Sequence, residues 1–140
     1  MRGLTKRGVA PVPQALMNNW TPDELAGIAR ADELGLASRR PDRSLRPFIT
    51  MWVVRSGDDL YVRSARGRDN SWFQRTLASG EGRIRAGRLE RDVAFEEPGP
   101  AVDAQLDRAY HAKYDRYGPG MVGTVVSPEA ARSTLRLLPR

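Results

Sequence analysis

Residues 48–65, FITMWVVRSGDDLYVRSA, decide the fold. Phe48 to Arg55 is β-branched and aromatic on both faces, so it reads as a central strand covered on each side. Gly57-Asp58-Asp59 is a turn. Leu60 to Ala65 is the next strand, with Leu60, Val62 and Ser64 facing one way and Tyr61 and Arg63 the other. Two such runs joined by a short turn make a hairpin.

Upstream, Thr21 reads as a helix N-cap, Pro22 as the first helical residue and Glu24 as the third, which completes a capping box. Trp20 before the cap can pack on Leu25 as a hydrophobic staple, and Leu25, Ile28 and Ala29 give the helix a buried stripe to about Glu33. Residues 34–39, LGLASR, form a short strand, and RPDRSLRP at 40–47 is rich in turn residues. Residues 1–18 hold Gly, Pro and scattered charge without a period and read as a flexible tail before one domain at 19–140.

Downstream, RGRDNS is a polar loop in which Asn70 or Ser71 can cap a short helix from Trp72 to about Ser79-Gly80. A second hairpin follows, Arg83 to Ala86 and Leu89 to Glu97, with Val93 and Phe95 inward and Asp92, Ala94 and Glu96 outward. Residues 101–117 form the strongest helix, with Val102, Leu106, Ala109, Tyr110, Lys113, Tyr114 and Tyr117 on one stripe. His111 falls half a turn away and should face solvent. GPGMVGTVVSP at 118–128 reads as irregular, and Ser133 to Leu138 as a closing strand. About six mostly antiparallel strands with three or so helices make an α+β, mainly β, small barrel the economical arrangement.

Composition removes several chemistries. The chain has 140 residues, no Cys and one His. A disulfide scaffold, a thiolate nucleophile and a Cys- or His-rich metal site are therefore excluded. No phosphate-binding loop or dinucleotide fingerprint occurs, and no carboxylate pair sits at a motif spacing. No apolar run approaches the ~18 residues of a membrane-spanning helix, so a soluble, cytoplasmic protein is expected. The 23 Lys+Arg against 17 Asp+Glu give +6. That excess sits in residues 39–91, which hold thirteen cations and six anions, while the flanking thirds are near neutral.

With these elements in place, the run from Trp52 to Glu97 resembles the flavin split-barrel superfamily, in particular its deazaflavin-dependent nitroreductase branch. The carrying features are the hairpin around Gly57-Asp58, then Ser64, the loop glycine Gly67 and a helix opening with Trp72. Residues 20–140 more narrowly resemble an uncharacterised bacterial family, domain of unknown function 2255. The carrying strings are the tryptophan-led first helix, MWVVRSGDDLYVRS, EGRIRAG, DRAYHAKY and TLRLLPR. The resemblance implies a split barrel that dimerises, with FMN or a deazaflavin across the subunit interface. It also implies that residues 39–46 correspond to a Gly-Arg-x-Ser-Gly-x-x-Arg loop that contacts the cofactor tail. Arg39 or Arg40 and Arg46 match that loop; its glycines are absent here.

Arg39, Arg40, Arg43, Arg46, Arg63, Arg66 and Arg68 are the densest cationic cluster, suited to phosphate or carboxylate. Ser64 and Ser71 can donate to phosphate oxygens, and the start of the Trp72 helix favours anions. The cofactor-binding expectation is Arg39, Arg46, Ser64, Arg66, Gly67, Arg68, Ser71 and Trp72. The alternative is a solvated Arg face paired with Asp42, Asp58, Asp59 and Asp69. Trp52 fits core packing, whereas Trp72 fits a ring-binding surface. Tyr110 and Tyr114 are the candidate proton donors, and Lys113 either snorkels outward or is held inside as a counter-ion.

Three functions follow. The first is a split barrel that binds a flavin-like or other planar anionic small molecule, as an oxidoreductase whose cofactor supplies the electron chemistry. The second is a cofactor-free binding module of the same fold. The third, a weak nucleic-acid binder, fits poorly, because most aromatics read as buried and 17 acids dilute the basic field.

Overall fold

The computed structural model describes residues 19–140; the tail read at 1–18 lies outside the described residues. Helix α1, Pro22–Arg30, begins as expected. Thr21 Oγ1 accepts from the Glu24 amide at 3.1 Å and Glu24 Oε1 accepts from the Thr21 amide at 2.9 Å. Trp20 is buried with Leu25, and its Nε1 donates to the Leu137 carbonyl at 2.9 Å. That bond ties the start of α1 to the last strand, so Trp20 is a structural clamp.

The strands are β1 Leu34–Ser38, β2 Ile49–Met51, β3 Val54–Ser56, β4 Asp59–Val62, β5 Glu81–Ala86, β6 Leu89–Glu96 and β7 Leu135–Pro139. All pairings are antiparallel, in the order β2-β1-β5-β6-β7-β4-β3. The helices are α1, α2 Ser71–Ser79, α3 Asp103–Tyr114, α4 Pro119–Gly123 and α5 Pro128–Ala131. The expected small, mainly β split barrel is present, with one more strand and two more helices among the described residues.

The run at 48–55 is not a central strand. It supplies both edges of the sheet, β2 at one end and β3 at the other. Flat, seven strands would hold their edges about 29 Å apart, at about 4.8 Å per spacing. Met51 and Val54 are three residues apart, which allows at most about 11 Å. The sheet must therefore curl until its edges nearly meet, with Trp52-Val53 as the corner. Both-face apolarity misled the reading because a barrel corner is covered on both sides too. Val53 packs into the barrel interior with Leu36, Leu60 and Leu137, while Val54 packs outward on Leu106, Tyr110 and Tyr114 of α3.

The corner breaks the ladder at Val53, whose residue is fully buried. Buried peptide groups need partners. Helix α3 provides them. The Val53 amide donates to Tyr114 Oη at 3.1 Å, and Lys113 Nζ donates to the Val53 carbonyl at 2.8 Å. Tyr114 Oη also lies 2.8 Å from the Asp32 carbonyl, and its ring stacks on Trp52 at 4.0 Å.

Arg63 is the other tie between sheet and helices. Its side chain is wholly buried on the Tyr61 face of the sheet. Nη1 bonds Asp107 Oδ1 at 2.6 Å and the Val125 carbonyl at 2.9 Å, and Nε bonds Thr134 Oγ1 at 3.0 Å. This fork satisfies strand, helix and connecting segment at once.

Other boundaries also differ from expectation: the strand read at 60–65 is Asp59–Val62, and the helix read at 101–117 is Asp103–Tyr114 with single 3-10 turns on either side. Residues 118–128, read as irregular, contain α4 and the cap of α5, whose Ser127 side chain accepts from the Ala130 amide. Both helices carry Pro in the first turn, where its missing N–H costs nothing. The last strand starts at Leu135, because the Ser133 and Thr134 hydroxyls instead donate to the Ala130 and Ala131 carbonyls, each at 2.7 Å.

Candidate functional site

Helix α2 opens the site. Asn70 is its cap, accepting from the Trp72 amide at 3.1 Å, and Gly80 in the left-handed region ends it. Trp72, Arg75 and Thr76 are three and four residues apart, so they share one helix face. That face looks onto the β1–β2 edge of the barrel.

Two hollows lie along this face. The first, with a cavity volume of about 240 Å³, has Arg46, Pro47 and Ile49 on one side and Trp72, Arg75 and Thr76 on the other. The second, of about 260 Å³, runs from Thr50 and Trp52 past Arg66 and Asn70 to Met121 and Thr124. Ile49 and Trp72 line both, so the two hollows adjoin at these side chains and form the two halves of one groove region. Each alone is a little below the ~300 Å³ at which ligand sites begin, so a ligand of that size would have to engage both.

The charge of this groove is one-sided. No Asp or Glu lines either hollow. Arg46, Arg66 and Arg75 have no side-chain hydrogen bond or ion pair to any described residue. Arg46 Nε is buried without an acceptor. Elsewhere many arginines meet carboxylates, Arg39 with Asp92, Arg43 with Glu81, Arg68 with Glu97, Arg91 with Glu24 and Arg136 with Glu96. Arg30, Arg85, Arg88, Arg108 and Arg132 are also without an ion pair to any described residue; what sets the groove apart is that its free guanidiniums gather around one indole. Arg63 also borders the second hollow, but Asp103 and Asp107 neutralise it. Free guanidiniums around an indole fit a planar anion.

The structure brings Arg46, Arg66 and Trp72 together and sets the other expected residues apart from this groove. Arg39 faces a different hollow, beside Glu81 and Asp92. Arg68 donates to Glu97 and to the Arg132 carbonyl. Ser64 is buried, with its amide bonded to Ser133 Oγ at 2.9 Å. Gly67 adopts φ +74 in a turn, where an added Cβ would press on the Glu129 side chain. Ser71 is exposed at the first residue of α2.

Tyr110 and Tyr114 line neither hollow. Both are fully buried, and burial pushes both phenols above their ordinary value, Tyr114 to about 12. Burial lowers Lys113 to about 8. His111 is exposed, as expected, beside Asp115.

Loop 39–46 closes on itself. The Arg40 amide donates to the Ser44 carbonyl at 2.8 Å, the Arg43 amide to the Arg40 carbonyl at 2.9 Å, and the Ser44 amide to Asp42 Oδ1 at 3.0 Å. Arg43 holds φ 77, a left-handed turn position that usually takes glycine. Three amides of this loop are thus spent internally, those of Arg39 and Arg46 bond the Glu81 and Ser38 carbonyls, and Arg46 meets the groove with its side chain.

Sequence reading missed Arg75, Thr76, Asn70, Met121 and Thr124 as groove residues. Arg75 was findable from its spacing to Trp72. Met121 and Thr124 were not, since they reach the groove only through the packing of α4 under the sheet.

Solved structures share this architecture. An F420 reductase is 16% identical and superposes with a TM-score of 0.54, over 82% of this chain and 90% of that one. A Listeria innocua protein provisionally named a pyridoxamine 5′-phosphate oxidase is 14% identical, with a TM-score of 0.55, over 83% and 88%. The protein Atu2129 of Agrobacterium tumefaciens, of unknown function, is 11% identical, with a TM-score of 0.60, over 94% of this chain and 57% of that one. At these identities the likeness establishes the split-barrel fold. Among curated proteins none matches. The family match spans residues 24–137, and the chain belongs to the family described as "uncharacterized protein conserved in bacteria (DUF2255)".

Proposed function

We infer that the chain binds a planar, anionic cofactor of the flavin or deazaflavin class in the groove at Trp72 and serves as an oxidoreductase. The observation that carries this reading is the acid-free groove with three unpaired guanidiniums around an indole. Arg46 and Arg75 hold the phosphate end, and Arg46 Nε, buried without an acceptor, gains one there. Trp72 packs on the ring, and Ile49 and Met51 keep water from its edge. When bound, the cofactor supplies hydride or electron transfer. The neighbouring F420 reductase supports this reading.

A homodimer belongs to the same reading. Met121 at the groove rim is 56% exposed and Tyr117 is 44% exposed, so a second copy would cover both and deepen the groove. The test is the visible absorption spectrum of freshly purified protein, followed by titration with FMN and with F420. Saturable binding of either supports the reading; failure of both overturns it.

The closed 39–46 loop favours a second reading, a binding module without redox cofactor. Its Arg39, Arg40, Arg43, Ser44 and Arg46 amides are already bonded and do not point at a shared phosphate site. Binding of planar anions with no retention of FMN or F420 would select it.

A further inference from the structure

The two ends of the groove differ in a way that specifies the ligand further. Arg46 and Arg75 belong to the first hollow only, and Arg66 to the second only, with Ile49 and Trp72 at the waist. Arginine keeps its charge at every accessible pH. The groove therefore holds three positive charges that no lining carboxylate offsets. A phosphate monoester carries about −1.5 to −2 at neutral pH. Held by Arg46 and Arg75, it leaves the charge on Arg66 uncompensated at the far side of the indole. Around Arg66 the second hollow offers the neutral polar groups of Thr50, Asn70 and Thr124, and Arg63 there is already neutralised by Asp103 and Asp107.

We propose that the groove takes a planar ligand with anionic groups on two sides of its ring, one held by Arg46 and Arg75 and the other by Arg66. This deepens the cofactor reading and rests on the same groove, but it concerns charge placement and not redox chemistry. A ligand with one anionic end binds the first hollow alone. A second anion across the ring adds a charge-assisted bond at Arg66.

Anthraquinone-2-sulfonate and anthraquinone-2,6-disulfonate test this directly, because they share a planar tricyclic ring and differ by one anion at the opposite end. Calorimetric titration at about 0.15 M salt should find the disulfonate at least about tenfold tighter, the gain of one hydrogen bond to a charged group. Arg66→Ala should bring the two ligands to within about twofold, with the disulfonate losing more affinity than the monosulfonate. Arg46→Ala should weaken both. Equal affinities on the unaltered protein, or a disulfonate preference that survives Arg66→Ala, overturn the proposal. FMN titrated in parallel separates the two claims. If FMN does not bind but the disulfonate preference holds and needs Arg66, the cofactor reading fails and the two-anion groove stands. If FMN binds without any disulfonate preference, the reverse is true.

Discussion

Lys113 Nζ donates to the carbonyl oxygen of Val53 at 2.8 Å, within the two-residue corner Trp52-Val53 that separates the two edges of the barrel. The adjacent Tyr114 hydroxyl accepts from the amide of the same residue. Two consecutive side chains of α3 thus replace the ladder partners that a strand at Val53 would have had. The same corner carries Trp52, which stacks on Tyr114 and walls the second hollow. Closure of the barrel and shape of the groove are therefore one problem, solved by residues 113 and 114.

Tyr114→Phe should cost about 1–3 kcal/mol of stability, because it leaves the buried Val53 amide without an acceptor. Urea denaturation of both proteins measures it. An unchanged midpoint would show that the corner does not depend on this hydroxyl.

Stability should also depend on pH through this pair. Burial lowers Lys113 to about 8 from its ordinary 10.5. Between those values the unfolded chain binds more protons than the folded one, so stability rises with pH across that window. Tyr110 and Tyr114 act in the opposite sense, since burial raises both above their ordinary 10.0. Their contribution is complete below about pH 10 and is lost as pH climbs toward the raised values. Denaturation midpoints should therefore increase from pH 7.5 to about 9.5 and fall beyond it. Lys113→Met should flatten the rising limb and leave the fall intact; a rising limb that survives assigns it to another group.

Arg63→Ala should cost about 3–5 kcal/mol, the range for breaking a buried pair, because Val125 and Thr134 lose donors and a cavity opens. Arg63→Lys should rescue little of it, since an ammonium cannot span four partners on three elements. Thermal unfolding of both variants is the check, and a Lys variant as stable as the parent would refute the fork.

Gly82→Ala should be among the most damaging small changes. Its Cβ would sit 2.0 Å from the Ala37 carbonyl oxygen, where β1 and β5 pair. Backbone cannot yield as a side-chain tip does, so a loss of more than about 2 kcal/mol or no folded protein is expected. At Arg43, by contrast, glycine should be better than alanine by about 1 kcal/mol, because both lose the exposed Glu81 pair and only glycine relieves the φ of 77. Comparing the two Arg43 variants by chemical denaturation isolates that backbone term; alanine equal to glycine would mean the turn relaxes.

Much of the fold was readable because its signals are local. Thr21-Pro22 with Glu24 three positions past the cap fixes the start of α1, and period-2 alternation places Val93 and Phe95 inward. Residues 48–55 were misread because burial on both faces has two causes, a central strand or a barrel corner, and only long-range pairing separates them. Ser127-Pro128 carried a legible cap that was passed over. At the groove, arginine density drew attention to residues 39–46 and 63–68 alike. Pairing then divided them: Arg39, Arg43, Arg63 and Arg68 meet carboxylates supplied from distant strands and helices, while Arg46 and Arg66 do not. No rule of spacing reveals which acids the fold will deliver.

The most direct measurement of the groove as a cofactor site is the affinity of FMN, with riboflavin as the phosphate-free control, for the parent protein and for the Arg46→Ala/Arg75→Ala double variant. The parent should bind FMN at least about tenfold more tightly than riboflavin, and the double variant should bind the two alike, since only the phosphate contacts are lost. Equal binding of FMN and riboflavin by the parent, or an FMN preference untouched by the double substitution, would contradict it.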